Sequence, residues 1–354
     1  MSHFIQLHLL TPYAASNLNR DDTGRPKTMH FGGAERLRIS SQSLKRAFRQ
    51  SDVFAGRLPG ALGKRSIDFM GTLIKTLVAK GLAETDAIAR AEAVIAHDSL
   101  GKAKKGQAKT EQLVHLGPDE MATIAALADR LAVTDTLDDK GMLVLKDKPR
   151  AADIAMFGRM LADNSGFNVD AAVQVAHAFT THRATVEDDF YTAVDDIKNA
   201  DTEADRGAGF LGVQEYGAGL FYLYICINAD LLLDNLAGDK ALARDALAAL
   251  ITAATTVSPS GKQNAFASRA KACYVLEELG EETPRSLASA FQNPVGATGE
   301  TDYFAASIGR LDKLREGFRR AYGEHFAAHV LRIDDGQSET LADLVAAAQA
   351  VYGA

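Results

Sequence analysis

Lys45 and Arg49 stand four residues apart with Arg46 beside them, and Ser40, Ser41 and Ser43 lie just upstream. Side chains four apart share one face of a helix, and serine ahead of a periodic run marks a helix start. The stretch therefore predicts a helix with a cationic ledge. A helix N-terminus adds unpaired backbone N–H groups and a partial positive charge. The chemistry on offer is the binding of an anion such as phosphate. Leu44 and Phe48, also four apart, would face a core. A solvated amphipathic helix would show the same cations, and the neighbouring residues decide between the two readings.

Upstream, Arg36-Leu37-Arg38-Ile39 alternates cationic and apolar side chains, the pattern of a half-buried strand. Leu37 and Ile39 would face the core, with Arg36 and Arg38 facing away. Before it, residues 16–33 are polar and glycine-containing without apolar period, by length a functional or a disordered loop, with Arg20, Arg25 and Lys27 as its cations. The whole chain of 354 residues carries −7, yet residues 20–50 hold eight Lys/Arg against three acidic residues, a local +5 that leaves −12 for the rest. A uniformly basic nucleic-acid binder is excluded, whereas a cationic groove on an acidic protein is not.

Other chemistries fit the spacing poorly. Asp21-Asp22, or Glu187-Asp188-Asp189 with His177 and His182, would be the metal candidates. Adjacent carboxylates diverge, and histidines five apart miss the i,i+4 geometry of a shared helix face. There is no GxSxG, and Gly261-Lys262 lacks the upstream glycine and following hydroxyl of a phosphate-binding P-loop. A Lys262-Gln263 loop could still donate to phosphate or ribose. Cys226 and Cys273 are far apart and form no CxxC, so buried free thiols are expected. Residues 1–20 lack a signal-peptide pattern, and no window reaches the roughly 18 apolar residues of a membrane span. A cytoplasmic protein is expected.

The elements that must position these residues follow from periodicity. Phe4–Leu10 reads as a strand ending at Thr11-Pro12. Residues 60–150 turn helical, with helices at 66–81, 84–97 and 119–133, and look like an inserted subdomain; the lysines of 101–110 read as a solvated loop. Residues 153–160 look strand-like, and 169–178 helical. The glycine-rich segment 207–222 suits a projecting hairpin or arm, beside aromatic Phe190-Tyr191. Residues 220–228 read as a central strand, 239–256 as a helix, 272–276 as a strand and 339–351 as a final helix. Cations for the backbone and flat or wedge-shaped side chains for bases together suit sequence-independent binding of single-stranded nucleic acid. Core packing of Phe190 and Tyr191 is the simpler alternative.

The stretches LNRDD (18–22), FGGAERLRISSQSLKRAFRQ (31–50), FGRM (157–160), HAFTTH (177–182), FYTAVDD (190–196) and LGVQEYGAGLFY (211–222) resemble the CasC family, the backbone subunits of the type I-E CRISPR surveillance complex Cascade. The resemblance runs nearly end to end and is weakest over 60–150. It implies an α+β fold: a modified RRM-like, ferredoxin-like palm (1–59, 181–196 and 223–354), a helical fingers insertion (60–180) and a thumb β-hairpin (197–222). It implies a non-catalytic subunit that multimerises along a guide RNA and presents it to target DNA, with neighbouring copies and other Cascade subunits as partners, and neither cofactor nor membrane. Carried over to matching positions, Arg20, Ser40, Gln42, Lys45, Arg46 and Arg49 would hold the guide backbone. Met160, Tyr191 and Thr192 would sit at a displaced base and Leu211 beside it, with Lys27, Lys262 and Gln263 matching more loosely. The competing expectation is an RNA-cleaving backbone subunit using metal at Asp21 or Asp22.

Overall fold

A computed structural model describes residues 3–98, 100–135, 143–194, 208–296 and 302–353. In chain order it begins with β1 (Phe4–Ser16), β2 (Thr28–Phe31), β3 (Ala34–Ile39), α1 (Ser41–Arg49) and α2 (Asp52–Arg57). The insertion follows: β4 (Lys64–Ser66), α3 (Gly71–Ala79), α4 (Glu84–His97), β5 (Ala103–Lys104), β6 (Lys109–Thr110), β7 (Val114–Leu116) and α5 (Pro118–Val133). Then come α6 (Ala152–Phe157), β8 (Val173–Val175), β9 (Ala178–Thr180), β10 (Glu187–Val194) and β11 (Ala208–Asn228). The chain closes with α7 (Ala229–Asn235), α8 (Lys240–Thr256), α9 (Gln263–Phe266), β12 (Tyr274–Gly280), α10 (Tyr303–Tyr322), β13 (Ala327–Arg332) and α11 (Leu341–Ala350).

One large antiparallel sheet runs β13-β12-β1-β11-β9-β3-β2, with β8 and β10 also paired to β11. It is sandwiched. Ile5, Leu7 and Leu9 of β1 and Leu223, Ile225 and Ile227 of β11 point to one face, where they pack on α1, α8 and α11. Leu10, Tyr222, Tyr274 and Leu276 point to the other, against residues 287–295 and α10. The period-2 alternation of each strand thus feeds two cores. On the first face Leu44 and Phe48 anchor α1, each burial contributing roughly 2–3 kcal/mol. The insertion has a core of its own, built from Leu73 and Leu77 of α3, Val94 and Ile95 of α4 and Ile124, Leu127 and Leu131 of α5. Among the described residues no helix is long and apolar enough to cross a membrane.

Several sequence expectations are corrected. β1 does not stop at Thr11-Pro12 but pairs with β11 as far as Ser16. Pro12 lies past Leu10, the last residue of β1 paired with β12, so its missing N–H falls where the strand has only one neighbour. Residues 153–160, expected as a strand, begin inside the helix α6, and Gly158 ends it at φ 79. Residues 169–178, expected as a helix, contribute β8, because Val173 and Val175 pair with Ile227 and Ile225. Arg36 does not face away into solvent. The second layer covers it, leaving it 0% exposed. Its guanidinium donates to the carbonyls of Thr180 at 2.8 Å and Phe291 at 2.9 Å. Of the two free cysteines, Cys226 is buried as expected, whereas Cys273 is only half-buried. Of the expected thumb, 197–207 lie outside the described residues. β10 and β11 pair from Glu187↔Tyr216 to Val194↔Ala208.

Candidate nucleic-acid interface

The start of α1 is built locally. Ser40 adopts an extended backbone, and its hydroxyl accepts the Ser43 N–H at 3.4 Å. The Ser40 N–H donates to the Asn19 side chain at 2.8 Å, which brings the loop carrying Arg20 to the helix. That loop is folded on itself: Asp21 Oδ1 accepts from the Thr23 N–H, the Thr23 hydroxyl and the Arg25 N–H. The Thr23 hydroxyl is the main cause that holds the Asp21 carboxyl below the usual carboxylate range. Lys27 is tied in through its N–H to the Asn19 carbonyl at 2.8 Å.

Two cavities straddle α1. The larger, about 1220 Å3, lies between α1 and the insertion and includes Gln42, Lys45, Arg46 and Arg49 in its lining. The smaller, about 330 Å3, lies on the loop side and brings Arg20, Asp21, Ser43 and Arg46 together with Ser260 and Gly261. Arg46 lines both, so the helix forms a cationic ridge between two hollows. Lys45 sits over the Phe157 ring at 5.6 Å, and partial burial pushes its ammonium pKa down. No carboxylate among the described residues pairs with Lys45 or Arg46.

Arg49 is different. Its guanidinium donates to the buried Asp153 at 2.6 Å and 3.0 Å, and it is 18% exposed. Asp153 also accepts the Gly63 N–H at 2.8 Å, and His115 Nε2 lies 3.0 Å from it. Burial alone would raise the Asp153 carboxyl; His115 and Arg49 outweigh it and hold the pKa below the usual range. One carboxylate thus ties α1, α6, β7 and the start of β4 together. Sequence reasoning missed Asp153, since nothing local marks it as the partner of a residue 104 positions away.

The remaining candidates lie elsewhere. Met160 is 83% exposed, Tyr191 44% and Leu211 58%, and neither of the two cavities has Met160, Tyr191, Thr192 or Leu211 in its lining. Thr192 and Leu211 face each other across the β10–β11 ribbon, as do Tyr191 and Gly212. A Cβ on Gly212 would come 2.6 Å from the Tyr191 ring, so glycine is what lets that ring lie across the ribbon. Lys262 Nζ donates to the Gln214 side chain at 3.3 Å, tethering its loop to the ribbon. Gln263 turns its amide inward to the Pro259 and Ser268 carbonyls. Gly261 is pressed against Leu18, whose carbonyl oxygen a Cβ would approach to 2.3 Å. Among the described residues no three His, Cys, Asp or Glu gather as a ligand set.

The family model described as CT1975-like protein matches residues 5–350. A chain from the structure of a "CRISPR RNA-guided surveillance complex, pre-nicking" superposes with a TM-score of 0.86 at 32% identity, covering 99% of this chain and 100% of that one. A chain from another "CRISPR RNA-guided surveillance complex" superposes with a TM-score of 0.62 at 28% identity, covering 98% and 99%. No curated protein matches the chain.

Proposed function

Because this chain belongs to the CT1975-like protein family, we propose that it is a guide-RNA-binding subunit of a Cascade-type surveillance complex. In this reading it is a backbone subunit of the type I-E, CasC kind. Copies assemble side by side along a CRISPR RNA in the cytoplasm, with other Cascade subunits as further partners, and present the guide for pairing with target DNA. The observation that carries it is α1: Lys45 and Arg46 stand without a carboxylate partner among the described residues beside a capped helix start, where phosphates are attracted by both charge and N–H groups. Arg20 joins them from the loop, Ser40 and Gln42 stand at the first turn, and Lys27 lies farther along the same loop. Arg49 acts through Asp153, holding α1 in place. The sheet order β12-β1-β11-β9, with α1 and α8 against one face, supports an RRM-like palm.

On the ribbon, exposed Tyr191, Thr192 and Leu211 are the wedge that displaces a base, with Met160 as a further apolar contact and Lys262 bracing the ribbon from its loop. The bases between wedges stay open, so sequence is read by base pairing and the protein holds shape. The subunit is non-catalytic in this reading. Asp21, drawn into its own turn, shapes the loop that carries Arg20. Because Asp21 also lines the smaller cavity, the competing reading, metal-dependent RNA cleavage at Asp21 or Asp22, has a direct test. Complementary RNA cut in magnesium, with the activity lost in Asp21→Ala, would replace the scaffold reading.

The main test is a salt titration of single-stranded RNA binding. Replacing Lys45→Ala together with Arg46→Ala should lower the log–log slope by about 1.4, from roughly 0.7 per lost phosphate contact. An unchanged slope would overturn the assignment of α1 as the RNA ledge.

A further inference from the structure

Across the larger cavity from α1 stand Lys64 and Arg65 of β4 and Lys75 of α3. All three are exposed, and among the described residues none has an ion-pair or hydrogen-bond partner for its side chain. Asp68, the carboxylate in the same lining, is already engaged by Lys109 at 3.1 Å. Partial burial, and then the charge of nearby Arg49, push the Arg65 guanidinium pKa down, with Asp153 opposing the shift.

One carboxylate bridges the two walls. Asp153 receives Arg49 from α1 on one oxygen and the N–H of Gly63, the residue before Lys64, on the other. Gly63 itself is packed so that a Cβ would lie 2.7 Å from the His115 ring. The same lining includes apolar surfaces: Phe157, under Lys45, and Leu113, which is 65% exposed. The volume exceeds the roughly 300–1,000 Å3 of small-molecule pockets, and cations with apolar patches in one lining suit a polyanion bearing flat bases.

We propose that Lys64, Arg65 and Lys75 form a second phosphate-holding rail, so that a nucleic-acid strand in this groove is gripped by the insertion as well as by α1. The inference rests on the guide-binding reading above and extends it to a wall that none of the resemblance motifs includes. The ligand chemistry is a phosphodiester backbone. Its source is either the single-stranded RNA that α1 holds or a strand paired to that RNA.

The experiment compares the full-length chain with Lys64→Ala/Arg65→Ala/Lys75→Ala in two arms: salt titration of a labelled single-stranded RNA, and capture of complementary DNA by the RNA-loaded chain. A slope lower by about 2 in the first arm, with binding about tenfold weaker, assigns the rail to the RNA itself. A comparable loss confined to the second arm assigns it to the paired strand. The charge-preserving Lys64→Arg/Arg65→Lys/Lys75→Arg should behave as the parent, which separates charge from folding. If the alanine triple variant matches the parent in both arms while Lys45→Ala/Arg46→Ala loses slope, the rail is overturned and the guide-binding reading stands. If the parent chain itself binds RNA without salt dependence, both fall.

Discussion

Cationic side chains gather in two regions of this chain and meet opposite fates. On the α10 side of the sheet, Arg285 and Arg315 converge on Glu278, with a 2.7 Å bond from Arg315, and Arg285 also reaches Glu324 at 3.0 Å. Glu278 is almost fully buried; burial opposes its ionisation, and His8 and Arg285 beside it more than reverse that, holding the carboxyl far below the usual range. Beside α1, by contrast, Lys45, Arg46, Lys64, Arg65 and Lys75 face a cavity without carboxylate partners among the described residues. A cation whose charge is met inside the fold serves stability, whereas one left unmet at a cavity remains available to an outside anion. Arg49 is the hinge between the classes, being part of the ledge by sequence and part of the interior by its bond to Asp153.

The contrast can be broken from either end. The largest effect is expected at the internal cluster: Glu278→Gln leaves Arg315 without its counter-charge and Arg285 with Glu324 alone, and should lower unfolding free energy in urea by roughly 3 kcal/mol, with the salt slope of RNA binding unmoved. Next, Arg49→Ala should cost roughly 2 kcal/mol, less because Arg49 is partly exposed, and should shift the salt slope less than Arg46→Ala does. A slope change equal to that of Arg46→Ala would move Arg49 into the outward-facing class.

The neighbouring carboxylate sharpens the comparison further. Glu277 alternates to the opposite face of β12, where its buried carboxylate has no hydrogen-bond partner; desolvation, and then Glu339, push its pKa up to about 8. The folded chain then keeps a proton that the unfolded chain releases near 4.5, so stability falls as pH rises from about 4.5 to 8 and levels off above. Glu277→Gln should remove that fall and be more stable than the parent at pH 8, by on the order of a few kcal/mol, with the two alike near pH 4 by thermal unfolding. The smallest effect is expected from Tyr191→Ala. RNA affinity should stay within about fivefold, at the weak end of a stacking contact, while the fluorescence of 2-aminopurine at the displaced position loses its enhancement.

Elements governed by local chemistry were legible in the sequence. Ser40 caps α1, Leu44 and Phe48 anchor it, and α4 spans Glu84–His97 as its periodicity predicts, because caps and i,i+4 apolar pairs act within one turn. The C-terminal part of the strand Ala208–Asn228, from Leu220 on, was likewise visible in its β-branched and aromatic run, whereas the glycine-rich part before it was expected as a hairpin or arm. What misled was short and apolar: residues 153–160 and 169–178 carry too little period to distinguish helix from strand.

By itself the sequence determined the cationic helix, its capped start and the glycine-rich ribbon, since each depends on residues a few positions apart. Tertiary structure decided which charges remain free. Arg36 is buried because a second layer happens to cover its face, Arg49 is engaged because the fold delivers Asp153, and Lys64, Arg65 and Lys75 become a wall only because the insertion folds back across from α1. Charge is a property of a residue, but its availability depends on what long-range packing sets beside it, and that neighbour is not written in the local pattern.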